Sequence, residues 1–121
     1  MIVDLNRLKE IAEIEFFDIV EDVSIEGINT LRIFLKDGSY LDVWYSLKLE
    51  NRFSYHWERR HIDGSIYRHD NAPHKSWKHV PTFPKHFHDG EEENVLDSDI
   101  ADIPEDGLRS FLLFIRNKTT D

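Results

Sequence analysis

Two Asp-Gly pairs, Asp37-Gly38 and Asp63-Gly64, punctuate a stretch in which apolar and polar residues alternate. Alternation of period two marks strands with one buried face, and Asp-Gly supplies the positive φ that tight hairpin turns demand. Leu31, Ile33 and Leu35 form the apolar face of a strand that leads into the first pair. The return strand spans Ser39 to Leu49, with Leu41, Val43, Tyr45 and Leu47 on one side. A third strand, Arg52 to His61, sets Phe53, Tyr55, Trp57 and Arg59 opposite Ser54, His56, Glu58 and Arg60. A fourth, Ser65 to Asn71, sets Ile66, Arg68 and Asp70 against Tyr67, His69 and Asn71. Strands joined this closely run antiparallel to their neighbours, so the spacing predicts a β-meander.

Helical periodicity brackets that meander. Residues 4 to 15 predict a helix capped by Asp4, with Leu5, Leu8, Ile11, Ala12 and Glu15 along one mostly apolar stripe. The segment that follows, ending at Gly27, reads either as its continuation or as a first strand from Val20 to Glu26. Asp102-Ile103-Pro104-Glu105 has the form of a capping box, and Leu108, Phe111, Leu112 and Ile115 recur at i, i+3, i+4 and i+7 beyond it. Arg116 and Lys118 suit the last turn. The fold class expected is therefore α+β. It is a curved antiparallel meander of four or more strands, with an N-terminal and a C-terminal helix packed on it.

A chain of 121 residues has room for one domain, residues 1–121. The absence of cysteine removes disulfides, thiolate metal sites and thiol nucleophiles, and fits a reducing cytoplasm. No apolar run approaches the roughly 20 residues of a membrane helix, and the first ten residues lack the pattern of a signal peptide. A cytoplasmic location with no membrane partner is the expectation. The net charge of −9 argues against nucleic-acid binding until its distribution is considered. Residues 51–88 hold seven Lys and Arg against three acids, whereas residues 89–106 hold nine acids and no base. The acidic run reads as ordinary solubility charge.

All seven histidines fall between His56 and His88. From Ala72 to Gly90 the strand pattern is lost, and Pro73, Pro81 and Pro84 forbid a central strand or an unbroken helix there. A long loop carrying Trp77, Phe83 and Phe87 is expected to pack on the sheet. Histidine gives and takes protons near neutral pH, and arginine grips phosphate with two hydrogen bonds. Metal-free RNA cleavage needs a base, an acid and a cation, and each acid–base partner contributes about 10²–10⁴-fold. His86-Phe87-His88, if extended, sets both imidazoles on one side. Arg68 and Asp70 share a strand face that Arg59 could reach from the next strand. His69, His74, His86 and His88 also offer nitrogen ligands for zinc, though at spacings that match no helical HExxH or closed finger. Trp57, Tyr67, Trp77 and Phe87 could stack single-stranded bases, with core packing the leading reading for Trp57.

Several of these residues carry a family likeness. Tyr55-His56-Trp57, the run Arg68-His69-Asp70-Asn71-Ala72-Pro73-His74, the run Pro81 to Gly90, and Glu92-Glu93-Asn94-Val95 together resemble the TumE-type toxins of toxin–antitoxin pairs. The likeness extends from about Leu31 to Val95, with a weaker match in the final helix. Lys85-His86-Phe87-His88 departs from the adjacent histidines usual at that point. The resemblance implies a growth-inhibiting toxin, a cognate antitoxin and ribonuclease activity.

The leading expectation is thus a metal-independent ribonuclease with no cofactor. His74, His86, His88 and Asp70 are its candidate catalytic residues, and Arg59, Arg68, Asn71 and Lys85 its candidate RNA contacts. Its partners are RNA and the antitoxin, and its oligomeric state stays open, a homodimer included. The alternatives are a non-enzymatic module binding nucleic acid or protein, and a metal-dependent hydrolase built on the histidine cluster.

Overall fold

The alternation between residues 31 and 71 does form a sheet, and the sheet continues beyond it at both ends. The computed structural model describes residues 2–120. Helix α1 (Leu5–Glu15) is followed by β1 (Val20–Glu26), β2 (Thr30–Leu35), β3 (Tyr40–Tyr45) and β4 (Phe53–Arg59). A single helical turn, α2 (Arg60–Asp63), leads to β5 (Ser65–Asp70). A 3₁₀ turn (Lys75–Trp77) then precedes β6 (His86–Gly90), β7 (Val95–Asp97) and α3 (Pro104–Thr119). The seven strands lie side by side in chain order, each antiparallel to the next. This is the α+β meander expected, flanked by the two expected helices.

The pleat divides the sheet into two faces. Leu31, Ile33, Leu41, Val43, Tyr55 and Trp57 are buried on one of them. That face carries α1 through Leu5, Leu8, Ile11 and Ala12, and α3 through Leu108, Phe111, Leu112 and Ile115. Asp4 caps α1 by accepting from the Arg7 amide at 3.1 Å. Aromatic contacts seat α3: Phe111 stacks on Tyr55 at 6.3 Å, and Phe114 meets Trp57, Tyr67 and Phe87 edge-on. Gly107 allows the close approach, since a Cβ there would stand 2.8 Å from the Tyr55 hydroxyl and 3.0 Å from the Ala101 carbonyl. The opposite face is mixed, with Phe34, Tyr40, Trp44 and Ile66 beside polar groups. Across it the register aligns Arg32, Asp42, His56, Arg68 and His88 in one transverse row.

Several boundaries differ from the expectation. Strand β3 stops at Tyr45 because the Ser46 hydroxyl accepts from the Lys48 and Leu49 amides and turns the chain. Leu47 and Leu49 are consequently exposed. Strand β4 ends at Arg59, and the second Asp-Gly closes α2 rather than a two-residue hairpin. Gly64 there takes the left-handed conformation at φ 80°. The stretch expected as loop up to Gly90 contains β6, and the acidic segment contains β7. Asp102 does not cap α3: Ile103 holds that position without a side-chain bond, and Pro104 opens the helix. No helix among the described residues is long and apolar enough to cross a membrane.

Candidate active site

Strands β5 and β6 pair so that Asp70 lies opposite His86 and Arg68 opposite His88. Because side chains alternate along a strand, all four project from the face away from the helices. Phe87 points the other way and stacks on His69 at 4.3 Å, which anchors β6 to the core face. The extended His86-Phe87-His88 segment thus sets its two imidazoles on one side.

Backbone carbonyls fix both rings. The His86 Nδ1 lies 2.8 Å from the Pro84 carbonyl, and the His88 Nδ1 lies 2.7 Å from the Glu92 carbonyl. A carbonyl only accepts, so both Nδ1 atoms donate and both Nε2 atoms are turned toward the remaining side. There they meet one carboxylate. His86 Nε2 is 3.3 Å from Asp70 Oδ1, and His88 Nε2 is 3.8 Å from Asp70 Oδ2. Asp70 also accepts from Arg68 Nε at 3.1 Å and from the Ala72 amide at 3.0 Å. His86 and His88 are only 2% and 3% exposed. The indole of Trp77, from the 3₁₀ turn, stands over them with ring centroids 6.1 and 5.7 Å away.

These contacts set the charges. Burial would raise the Asp70 carboxyl, but the hydrogen bond and charge of His86, the Ala72 amide and Arg68 outweigh it and hold the group at about 2. Burial draws His86 down, yet its bonds to Asp70 and to the Pro84 carbonyl leave it above its ordinary value. His88 is lowered, by burial first and by the positive Arg68 and His86 beside it.

The other expected residues divide between this cluster and other tasks. Arg68 borders the cluster, but Glu92 takes its guanidinium in two bonds of 2.9 and 2.6 Å. Arg59 does not reach this face: it lies over Trp57 at 4.8 Å and is held by Asp37 at 2.6 Å and Asp63 at 3.1 Å. Lys85 donates to the Ile100 carbonyl and approaches Asp102 at 3.5 Å. Asn71 accepts from the Phe53 amide at 2.9 Å and donates to the Asn51 carbonyl at 2.6 Å, tying β4 to the chain after β5. His74 is exposed, accepts from the Ser76 amide at 3.2 Å and contacts Trp77 at 6.0 Å. His69 is buried behind the sheet against the Ser98 hydroxyl at 2.7 Å. Of the four aromatics considered for base stacking, Trp57, Tyr67 and Phe87 pack beneath α3, and only Trp77 belongs to the site face.

Three residues beside the cluster were not among the expected site residues. Glu92 sits in a run that reads as solubility charge, yet its carbonyl orients His88 and its carboxylate neutralises Arg68. Lys75 and Lys78, flanking Trp77, are exposed and make no ion pair among the described residues, unlike the arginines expected to hold phosphate. Their freedom follows from partner placement, which no spacing rule encodes.

No curated protein and no solved structure gives a significant match to this sequence. A family model does: the one described as Toxin TumE matches residues 5–119, from the first residue of α1 to the last of α3. With the match spanning the entire sheet and the Asp70, His86 and His88 cluster on it, the chain belongs to the TumE toxin family.

Proposed function

We propose that this TumE-family toxin cleaves RNA at the cluster of Asp70, His86 and His88. The observation that carries the reading is the convergence of two imidazoles and one carboxylate, with ring nitrogens and a carboxylate oxygen within 4.8 Å of one another and both Nε2 atoms facing Asp70. Phosphodiester cleavage requires that a proton leave the attacking oxygen, that one reach the departing oxygen, and that charge on the phosphoryl group be compensated. Groups able to exchange protons gather here on a face free of helices. Lys75 and Lys78 supply unpaired cations beside it, and the half-buried Trp77 offers a π-face for a base. Such an activity acts on RNA in the cytoplasm and calls for a cognate antitoxin that restrains it.

The test is purified protein incubated with a defined single-stranded RNA, with products resolved at nucleotide level. Cleavage that is lost in His88→Ala and Asp70→Asn, and kept in His79→Ala, supports the reading. RNA that is bound and left intact overturns it in favour of a non-enzymatic binding module.

A further inference from the structure

We infer that Asp70, His86 and His88 form a three-ligand site for one divalent first-row transition-metal ion. The backbone sets the direction of the imidazole lone pairs. Both Nδ1 atoms donate to backbone carbonyls, at 2.8 and 2.7 Å, and that is how metal-binding histidines are usually oriented by their surroundings. What remains is two Nε2 lone pairs and a carboxylate facing one another at 3.3 and 3.8 Å. Electron-rich atoms so placed repel unless a cation lies among them. A proton on His86 would serve the shorter contact but not the longer one, which exceeds hydrogen-bond reach.

A metal ion serves all three. Ligands about 2.0–2.1 Å from a tetrahedral zinc stand about 3.3–3.4 Å from each other. The His86–Asp70 contact of 3.3 Å matches this, and His88, at 3.8 Å from the second carboxylate oxygen, would have to draw in by a few tenths of an ångström. Two imidazoles and a carboxylate suit zinc, manganese, iron, cobalt or nickel, and no cysteine is present to favour softer ions. Arg68 lies next to the site with its Nε on Asp70 Oδ2 at 3.1 Å, and Glu92 offsets part of its charge through two bonds. Three protein ligands leave a fourth position of a tetrahedral ion for water or an RNA oxygen, as catalytic metal sites do.

This departs from the metal-free expectation, and its catalytic meaning rests on the cleavage reading above. With both Nε2 atoms coordinated, the imidazoles would hold the ion and would not exchange protons themselves; the ion would supply the charge compensation and a bound water that loses its proton near neutral pH. Metal binding itself stands apart from cleavage.

The experiment is a titration of EDTA-stripped, dialysed protein with Co²⁺, followed by its visible absorption and by the ¹⁵N shifts of the imidazoles, with Zn²⁺ as competitor. The expected result is one equivalent of Co²⁺, displaced by Zn²⁺, with two histidines perturbed at Nε2. Affinity should fall at least tenfold in Asp70→Asn and in His88→Gln and stay unchanged in His79→Ala. Binding that is equal in Asp70→Asn and His88→Gln, or confined to exposed histidines in the unmodified protein, overturns the site. If either variant fails to fold, the imidazole shifts of the unmodified protein decide. Cleavage is then measured with and without the ion. Metal binding without RNA cleavage defeats the ribonuclease reading and leaves the site standing. EDTA-resistant cleavage with no metal binding does the reverse.

Discussion

His86 and Asp70 lie directly opposite each other across β5 and β6, with His86 Nε2 3.3 Å from Asp70 Oδ1 and the far nitrogen of the ring tied to the Pro84 carbonyl. The ring can neither rotate nor flip without losing one bond. Asp70→Asn keeps the shape and removes the charge. RNA cleavage is expected to fall by about 10²-fold or more, while the circular dichroism spectrum and unfolding cooperativity stay those of the unmodified protein.

Glu92 reaches back from the β6–β7 turn to Arg68 at 2.6 Å. Truncation in Glu92→Ala leaves the half-buried guanidinium with Asp70 and His56 alone. A loss of about 0.5–1.5 kcal/mol in urea unfolding is expected, because Glu92 is itself partly solvated. The His88 ring should keep its orientation, since it is the Glu92 backbone that holds it.

Glu58 accepts from Arg60 Nε and from an Arg60 terminal nitrogen at 2.9 and 2.6 Å, and from the Arg60 amide at 2.9 Å. The Arg60 side-chain bonds chiefly, against the effect of burial, hold its carboxyl at about 2 instead of 4.5. A depressed folded-state value means stability that is present above about pH 4.5 and lost as the pH falls toward 2. Arg60 stands in solvent, so the contribution is small. Urea titrations between pH 6 and 2.5 should show a shallower acid loss in Glu58→Gln.

Gly107→Ala pits helix propensity against packing. Alanine favours the helix by about 1 kcal/mol. The added Cβ would stand 2.8 Å from the hydroxyl of fully buried Tyr55 and 3.0 Å from a backbone carbonyl. Packing should prevail, with a net loss of about 1–2 kcal/mol and a lowered thermal midpoint.

Lys75, the first residue of the 3₁₀ turn, and Lys78, its C-cap, are exposed. Replacing both with alanine should weaken RNA binding and reduce the slope of log affinity against log salt by about 1–1.5. Fluorescence anisotropy across a salt series measures this, and thermal stability should be unaffected.

The sequence carried the architecture because the architecture is periodic. Leu31, Ile33, Leu41, Val43, Tyr55 and Trp57 announced a buried face by their spacing, and Leu108, Phe111, Leu112 and Ile115 announced the helix that covers it. Periodicity also set His86 and His88 on one side of Phe87, and Arg68 with Asp70. What it did not show was β6 as a strand. Five residues that follow a proline-rich loop hold too few alternations, and their pairing depends on β5, which lies at a distance along the chain.

The chemistry of the cluster belongs to the tertiary structure. Sequence alone gathered the imidazoles, guanidinium groups and one aspartate into a short stretch of two strands and a proline-rich loop. Only the register of β5 against β6 brought His86 and His88 onto Asp70. Only the folded chain assigned Arg59 to Asp37, Lys85 to Asp102 and Arg68 to Glu92. The reason is physical: a side chain's availability depends on which opposite charge reaches it through space, and that distance is not written in the spacing of residues along a chain.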